Sequence, residues 1–190
     1  MPLNIPNLLT WLRILLIPVF AAVFYLPPAW LDPHWINITA TLIFAVAAIT
    51  DWLDGYLARA LNQSSAFGAF LDPVADKLMV AAALIILVEI GRVDALIALI
   101  IVGREITISA LREWMAAIGQ RKSVAVSYVG KLKTTAQMVS ILLLLYHDPL
   151  LGVVDAHLIG TWLIYIAAVL TLWSMIYYLK KAMPLVSAAD

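Results

Sequence analysis

Residues 36–90 read INITATLIFAVAAITDWLDGYLARALNQSSAFGAFLDPVADKLMVAAALIILVEI, and the way this stretch divides decides the fold. Two apolar runs, 36–58 and 70–90, flank a polar break at Asn62 to Ser65. Each run has about the 20 residues that a helix needs to cross a hydrocarbon layer. Outward from this pair, four more runs of similar length occupy 8–27, 95–117, 125–146 and 158–179. The remaining breaks have turn chemistry: Pro27-Pro28 with Asp32-Pro33, Gly91 to Asp94, Gly119 to Ser123, and His147 to Gly152. No linker is long enough for a second domain and no repeat is visible. The reading is an all-α polytopic membrane protein with six transmembrane helices, forming one domain over 1–190.

Composition agrees. Of 190 residues, 64% are hydrophobic and 13% charged, whereas a soluble domain is nearer half apolar and a quarter charged. Twelve Lys and Arg balance twelve Asp and Glu, which leaves no basic footprint for a nucleic acid partner. The absence of cysteine excludes disulfides, thiolate metal sites and thiol nucleophiles. The N-terminus lacks the basic region, short apolar core and cleavage site of a secretory signal, so the first segment is expected to be retained.

Basic residues in short loops set orientation. The first, third and fifth connections hold only Arg92, while the other side collects Arg13, Arg59, Arg121, Lys122, Lys180 and Lys181. That side is expected to be cytoplasmic, with both termini on it. Trp11, Trp30, Trp35, Trp162, Trp173 and Tyr177 fall near segment ends, as an interfacial aromatic belt does. His34, His147 and His157 fall on the opposite side, far from the acidic residues, which argues against a zinc role.

Ionisable groups inside spans cost about 3 kcal/mol each on insertion scales and by default mark function. Here they cluster. Asp51, Asp54 and Arg59 close the second segment, and Asp72, Asp76 and Lys77 open the third. The fourth contains Arg104, Glu105, Arg112 and Glu113, and the fifth begins with Lys131 and Lys133. At about 100° per residue, Asp51, Asp54, Gly55 and Ala58 share one stripe, and Gly68, Asp72 and Asp76 share another. Two antiparallel helices presenting these stripes to each other would bring four carboxylates together. Such a group cannot all be ionised without cations between them. Mg²⁺ or Mn²⁺ suits all-oxygen ligands better than zinc does. Gly55 and Ala58 keep the surface between the acids low enough for close approach.

Residues 51–76 also resemble the signature of the CDP-alcohol phosphatidyltransferases: Asp, two residues, Asp-Gly, two residues, Ala-Arg, eight residues, Gly, three residues, Asp, three residues, Asp. Asp51, Asp54, Gly55, Ala58, Arg59, Gly68, Asp72 and Asp76 fill every fixed position. NIPNLLTWLRILLIPVF, GREITISALREWMA, SVAVSYVGKLKTTAQM and LTLWSMIYYL extend the likeness over most of the chain, toward bacterial members that use a phosphorylated glycerol acceptor. The resemblance implies six helices around a cytoplasm-facing polar cavity, commonly in a homodimer in the bacterial inner membrane. It implies transfer of the phosphatidyl group of CDP-diacylglycerol to sn-glycerol 3-phosphate, giving phosphatidylglycerol phosphate and CMP, as a step in anionic phospholipid synthesis. It makes Asp51, Asp54 and Asp72 ligands of two divalent cations, places Asp76 at the second metal as the base, and sets Gly55, Arg59 and Ser65 against the CDP-lipid.

The acceptor's own phosphate needs cations away from the metals, and Arg104, Arg112, Lys131 and Lys133 are available. Glu105 and Arg112 lie about 20° apart around their helix; paired, Arg112 is structural, and unpaired, its planar fork suits a phosphate. Asn7, Thr10 and Arg13 recur at three-residue spacing. They either line the nucleotide entrance or form a helix cap with an interfacial anchor. Lys77 either tunes Asp76 or snorkels. The alternatives to this function are a sister transferase with phosphatidylglycerol, serine or inositol phosphate as acceptor, and, remotely, a cation transporter. Against the transporter stand the clustering of the acids toward one face and the lack of repeat symmetry.

Overall fold

A computed structural model describes residues 4–27, 29–61, 66–119, 128–149 and 152–186. It is all-helical. The helices are α1 (Ile5–Phe24), α2 (Pro33–Ala60), α3 (Ala66–Glu89), α4 (Ala95–Ala117), α5 (Tyr128–Tyr146) and α6 (Ala156–Val186), close to the six runs read from the sequence.

The ends follow local chemistry. Asn4, Asp32 and Asp94 cap α1, α2 and α4 by accepting from the backbone N–H of Asn7, His34 and Leu96, which satisfies donors that a helix start leaves open. Asn4, rather than Asn7, is thus the cap of α1. After α3, Gly91 takes φ 71°, and the Arg92 and Gly91 N–H groups return to the carbonyls of Leu87 and Val88. This is a Schellman closure, which glycine makes without strain. Arg92 then reaches across to the carbonyls of Leu144 and Leu145 at the end of α5 and to the Asn37 Oδ1 at 2.7 Å. The lone basic residue of its side is therefore a helix-end cap that ties α2, α3 and α5 together.

Packing puts α1 against α2 and α3, α5 against α6 and α2, and α4 against α6. The main core joins Phe20, Phe44, Ala47, Met79, Leu84, Ile101 and Leu144, and a smaller cluster of Ile108, Met115, Tyr178 and Ala182 locks α4 to α6. Small residues bring helices close. Ser140 of α5 donates to the Gly160 carbonyl of α6 at 2.6 Å, and a Cβ at Gly160 would lie 2.9 Å from the Leu144 Cγ. Leu144 is fully buried and has nowhere to retreat. Gly160→Ala is therefore expected to destabilise the protein by about 1–3 kcal/mol, read as earlier unfolding in detergent.

Large apolar side chains cover the outside: Leu15, Leu42, Ile85, Leu99 and Val169 are all exposed, a surface that suits lipid. So are the six aromatics of the expected belt. By length and composition, Pro6–Phe24, Pro33–Ala58 and Ala156–Lys180 are apolar enough to cross a membrane. The other helices differ for an identifiable reason. Asp72, Asp76 and Lys77 interrupt α3, and Arg104, Glu105 and Arg112 interrupt α4, while the apolar part of α5 is the shorter Leu132–Tyr146.

Candidate active site

The interrupting residues meet. Asp51 and Asp54 lie in the last turns of α2, and Asp72 and Asp76 in the first half of α3. Antiparallel packing across the short 61–66 connection brings the two acidic stripes to one end of the bundle. There, carboxylate oxygens of Asp51, Asp54 and Asp72 all lie within 4.8 Å of one another. Asp54 is buried, whereas Asp51 and Asp72 keep more than a third of their side-chain surface exposed.

Arg13 of α1 sits in their midst, with 1% of its side chain exposed. One guanidinium nitrogen lies 2.8 Å from Asp51 and 3.1 Å from Asp72, and the other donates to Asp54. The sequence left Arg13 as either a nucleotide-entrance residue or an interfacial anchor; its burial among the acids removes the anchor. Asn7 and Thr10 are buried on the same helix, with the Thr10 hydroxyl donating to the Pro6 carbonyl.

From the acids a cavity of about 620 Å³ runs between α3, α4 and α5. Asp51, Asp72 and Asp76 line one part of it, and Arg104 and Arg112 another. Asp76 is thus in the cavity but outside the three-carboxylate cluster. Lys77 also lines it, its ammonium donating to the Pro73 carbonyl at 3.1 Å. Gly55 faces open space, with nothing within 4 Å of where a Cβ would stand, which keeps the approach beside Asp54 clear. Ala58 and Gly68 are half-buried in the same region. Ser65 and the side chains of Arg59 and Lys131 lie outside the described residues.

The basic end shows which cations are committed. Glu105 bonds Lys133 and accepts from Arg104 at 3.2 Å, so the Glu105–Arg112 pair considered from helical spacing does not form. Lys133 is buried against Glu105 and is not part of the cavity wall. Arg104 also donates to the Ser174 hydroxyl at 3.0 Å. Arg112 packs 5.8 Å from the Tyr178 ring centroid, its Nε buried without a partner, and makes no ion pair among the described residues. Arg104 and Lys133 share the Glu105 carboxylate, and Arg112 has no carboxylate partner among the described residues. The wall thus keeps positive charge free for an anion.

Sequence reading missed the neutral polar residues of this wall, Ser109, Thr134 and Gln137. Each reads in isolation as a lone polar residue on an apolar helix. At the far end of the bundle, His34 pairs with Asp148 at 2.8 Å and His147 meets His157 edge-on, remote from the acids. Burial and nearby Arg92 hold the His147 imidazole below its ordinary range.

The sequence profile of the CDP-alcohol phosphatidyltransferases matches residues 3–173. The chain belongs to this family. Among its relatives, a CDP-diacylglycerol–glycerol-3-phosphate 3-phosphatidyltransferase of Escherichia coli (strain K12) is 55% identical over 184 residues, 96% of each chain. Proteins of that name from Shigella flexneri serotype 5b (strain 8401) and Salmonella typhimurium (strain LT2) are each 54% identical over the same share. The enzyme is therefore a phosphatidyltransferase. Its converging carboxylates also pass a simple test of fit for a divalent cation: three hard oxygen donors close together in a site whose negative charge already draws in a buried guanidinium.

Proposed function

We infer that this phosphatidyltransferase moves the phosphatidyl group of CDP-diacylglycerol to sn-glycerol 3-phosphate, releasing CMP, as the names of its relatives state for them. The observation that carries this reading is one cavity whose wall joins Asp51 and Asp72 of the carboxylate cluster, and Asp76 beside it, to two arginines. An acidic end suits a metal-bound diphosphate, and a basic end suits an acceptor that is itself a phosphate monoester. An uncharged acceptor alcohol would leave the arginine end unused.

Asp51, Asp54, Asp72 and Asp76 would hold two divalent cations, Mg²⁺ or Mn²⁺. Bound there, such ions neutralise diphosphate charge and stabilise the leaving oxygen. The chain's own residues do the rest. Arg112, with its unpartnered Nε, and Arg104 anchor the acceptor phosphate, so that the far hydroxyl points back toward the acids. Gly55 leaves room beside Asp54 for the CDP-lipid, with Arg59 and Ser65 as its further contacts. The acceptor oxygen attacks the lipid-side phosphorus, the bond from that phosphorus to the CMP oxygen breaks, and Asp76 takes the hydroxyl proton. Positioning carries most of such a transfer.

All six helices cross the membrane in this reading. At 24 and 23 residues, α3 and α4 are long enough, and several of their ionisable residues line the cavity, where intramembrane charge is tolerated. The cavity opens on the side with the basic loops, the cytoplasmic face of a bacterial inner membrane, and the enzyme works as a homodimer.

The test is CMP release by purified enzyme in detergent with CDP-diacylglycerol. Release is expected to require both sn-glycerol 3-phosphate and Mg²⁺ or Mn²⁺, and to stop on chelation. Equal release with serine or with phosphatidylglycerol in place of glycerol 3-phosphate would overturn the acceptor. Release that survives exhaustive chelation would overturn the metal site.

A further inference from the structure

Among the described residues of the cavity wall, Gln137 is a buried polar side chain that neither the metal chemistry nor the phosphate anchor uses. It lies on α5 with 3% of its surface exposed, and its Oε1 has no hydrogen-bond partner. Buried side-chain polar atoms are nearly always paired, and an unmade bond costs about 1–3 kcal/mol. An amide kept in such a place awaits a ligand group.

Its neighbours define that group. Gly130, Thr134 and Gln137 follow one another at four- and three-residue spacing, so one face of α5 forms this wall. The Thr134 hydroxyl donates to the Gly130 carbonyl, and across the cavity the Ser109 hydroxyl donates to the Glu105 carbonyl. Both hydroxyl protons are occupied within their own helices, leaving lone pairs toward the cavity. With the Gln137 Oε1, the neutral part of the wall is thus made of acceptors, and its natural complement is a hydroxyl proton. An ionised phosphate, which has no proton to donate, would not satisfy it.

Depth places Gln137 near the reacting end. It lies nine residues into α5, about 14 Å at 1.5 Å per residue, beyond Gly130 and Thr134. Met138 beside it also lines a small void shared with Arg13 and Asp76. A phosphate at Arg112 and a reacting hydroxyl at Asp76 leave a vicinal hydroxyl to be met from the α5 side. We propose that Gln137 is a specificity-determining residue that binds the second, non-reacting hydroxyl of the phosphorylated acceptor. This rests on the acceptor being glycerol 3-phosphate and adds the group that distinguishes it from a simpler alcohol phosphate.

The discriminating probe is 3-hydroxypropyl phosphate, which keeps the phosphate and a primary hydroxyl but lacks the middle one. A site built to bond a hydroxyl rejects an analogue without it strongly, because its own polar group is left unpaired. Wild-type enzyme is expected to use the analogue with kcat/KM at least about 100-fold below that for glycerol 3-phosphate. Gln137→Met, similar in size and shape, is expected to lose about 30- to 100-fold with glycerol 3-phosphate and less than about 3-fold with the analogue, collapsing the preference. Gln137→Glu, which keeps an acceptor, is expected to retain part of it. Equal losses on both substrates in Gln137→Met would make the residue merely structural and overturn the proposal. So would a wild-type enzyme that uses the two acceptors equally well, a comparison that needs no variant to fold. Wild-type enzyme that releases no CMP with glycerol 3-phosphate but does so with another alcohol would overturn the acceptor itself, and this inference with it.

Discussion

Asp76→Asn is expected to lower kcat by about 10²- to 10⁴-fold, the range for loss of a positioned general base, while CDP-diacylglycerol still binds. Asp76 stands apart from the ion pairs of the acidic cluster. Arg13 bonds Asp51, Asp54 and Asp72, and oxygens of those three converge. Asp76 stands one turn along α3 from Asp72, on the cavity wall, without an ion pair among the described residues. A carboxylate beside the cluster, facing the space an acceptor must enter, is placed to take a proton. Asparagine keeps the shape and a hydrogen-bonding oxygen but has little basicity. The checks are steady-state kinetics with both substrates and calorimetric Mn²⁺ titration of the variant. A large fall in kcat that persists at saturating Mn²⁺ supports the base. A fall in activity that higher Mn²⁺ restores would make Asp76 chiefly a ligand.

Much of this site was legible before the structure, for a physical reason. Charges inside apolar helices are so costly that Asp51, Asp54, Asp72 and Asp76 stand out, and helical spacing assigns them to two faces. The short connection between α2 and α3 then makes those faces meet. What was illegible depended on distant partners. Arg13 finds Asp54 and Asp72 from 41 and 59 positions away, and nothing on its own helix points to them. Helical spacing left a Glu105–Arg112 pair open, but Lys133, 28 positions on, holds Glu105, and Arg112 packs against the Tyr178 ring. Gln137 was invisible for a different reason. A single amide on an apolar helix reads the same whether it is satisfied or waiting, and only the absence of a partner separates the two.

Arg13→Met carries the second large effect, and metal decides its size. In the chelated enzyme the variant is expected to be less stable than wild type by about 3–5 kcal/mol, the cost of removing one partner from a buried ion pair. Buried Asp54 loses its guanidinium, and Asp51 and Asp72 lose the charge that keeps three carboxylates together. Methionine fills much of the vacated volume, so packing loss is a minor part. A divalent cation answers the same negative charge, and a ligand that binds only the folded protein stabilises it by mass action. Millimolar Mg²⁺ or Mn²⁺ is therefore expected to stabilise Arg13→Met more than wild type, narrowing the gap between them. Denaturant unfolding in detergent, with chelator and with metal, reads both quantities. A variant as stable as wild type under chelation would show that the guanidinium does not hold the acids together. A gap that metal leaves unchanged would show that the cation binds away from Asp51, Asp54 and Asp72, and would remove the foundation of the dimetal reading. The expected pattern has a mechanistic consequence: Arg13 keeps the carboxylate cluster assembled in the metal-free enzyme, so that metal meets a site already formed.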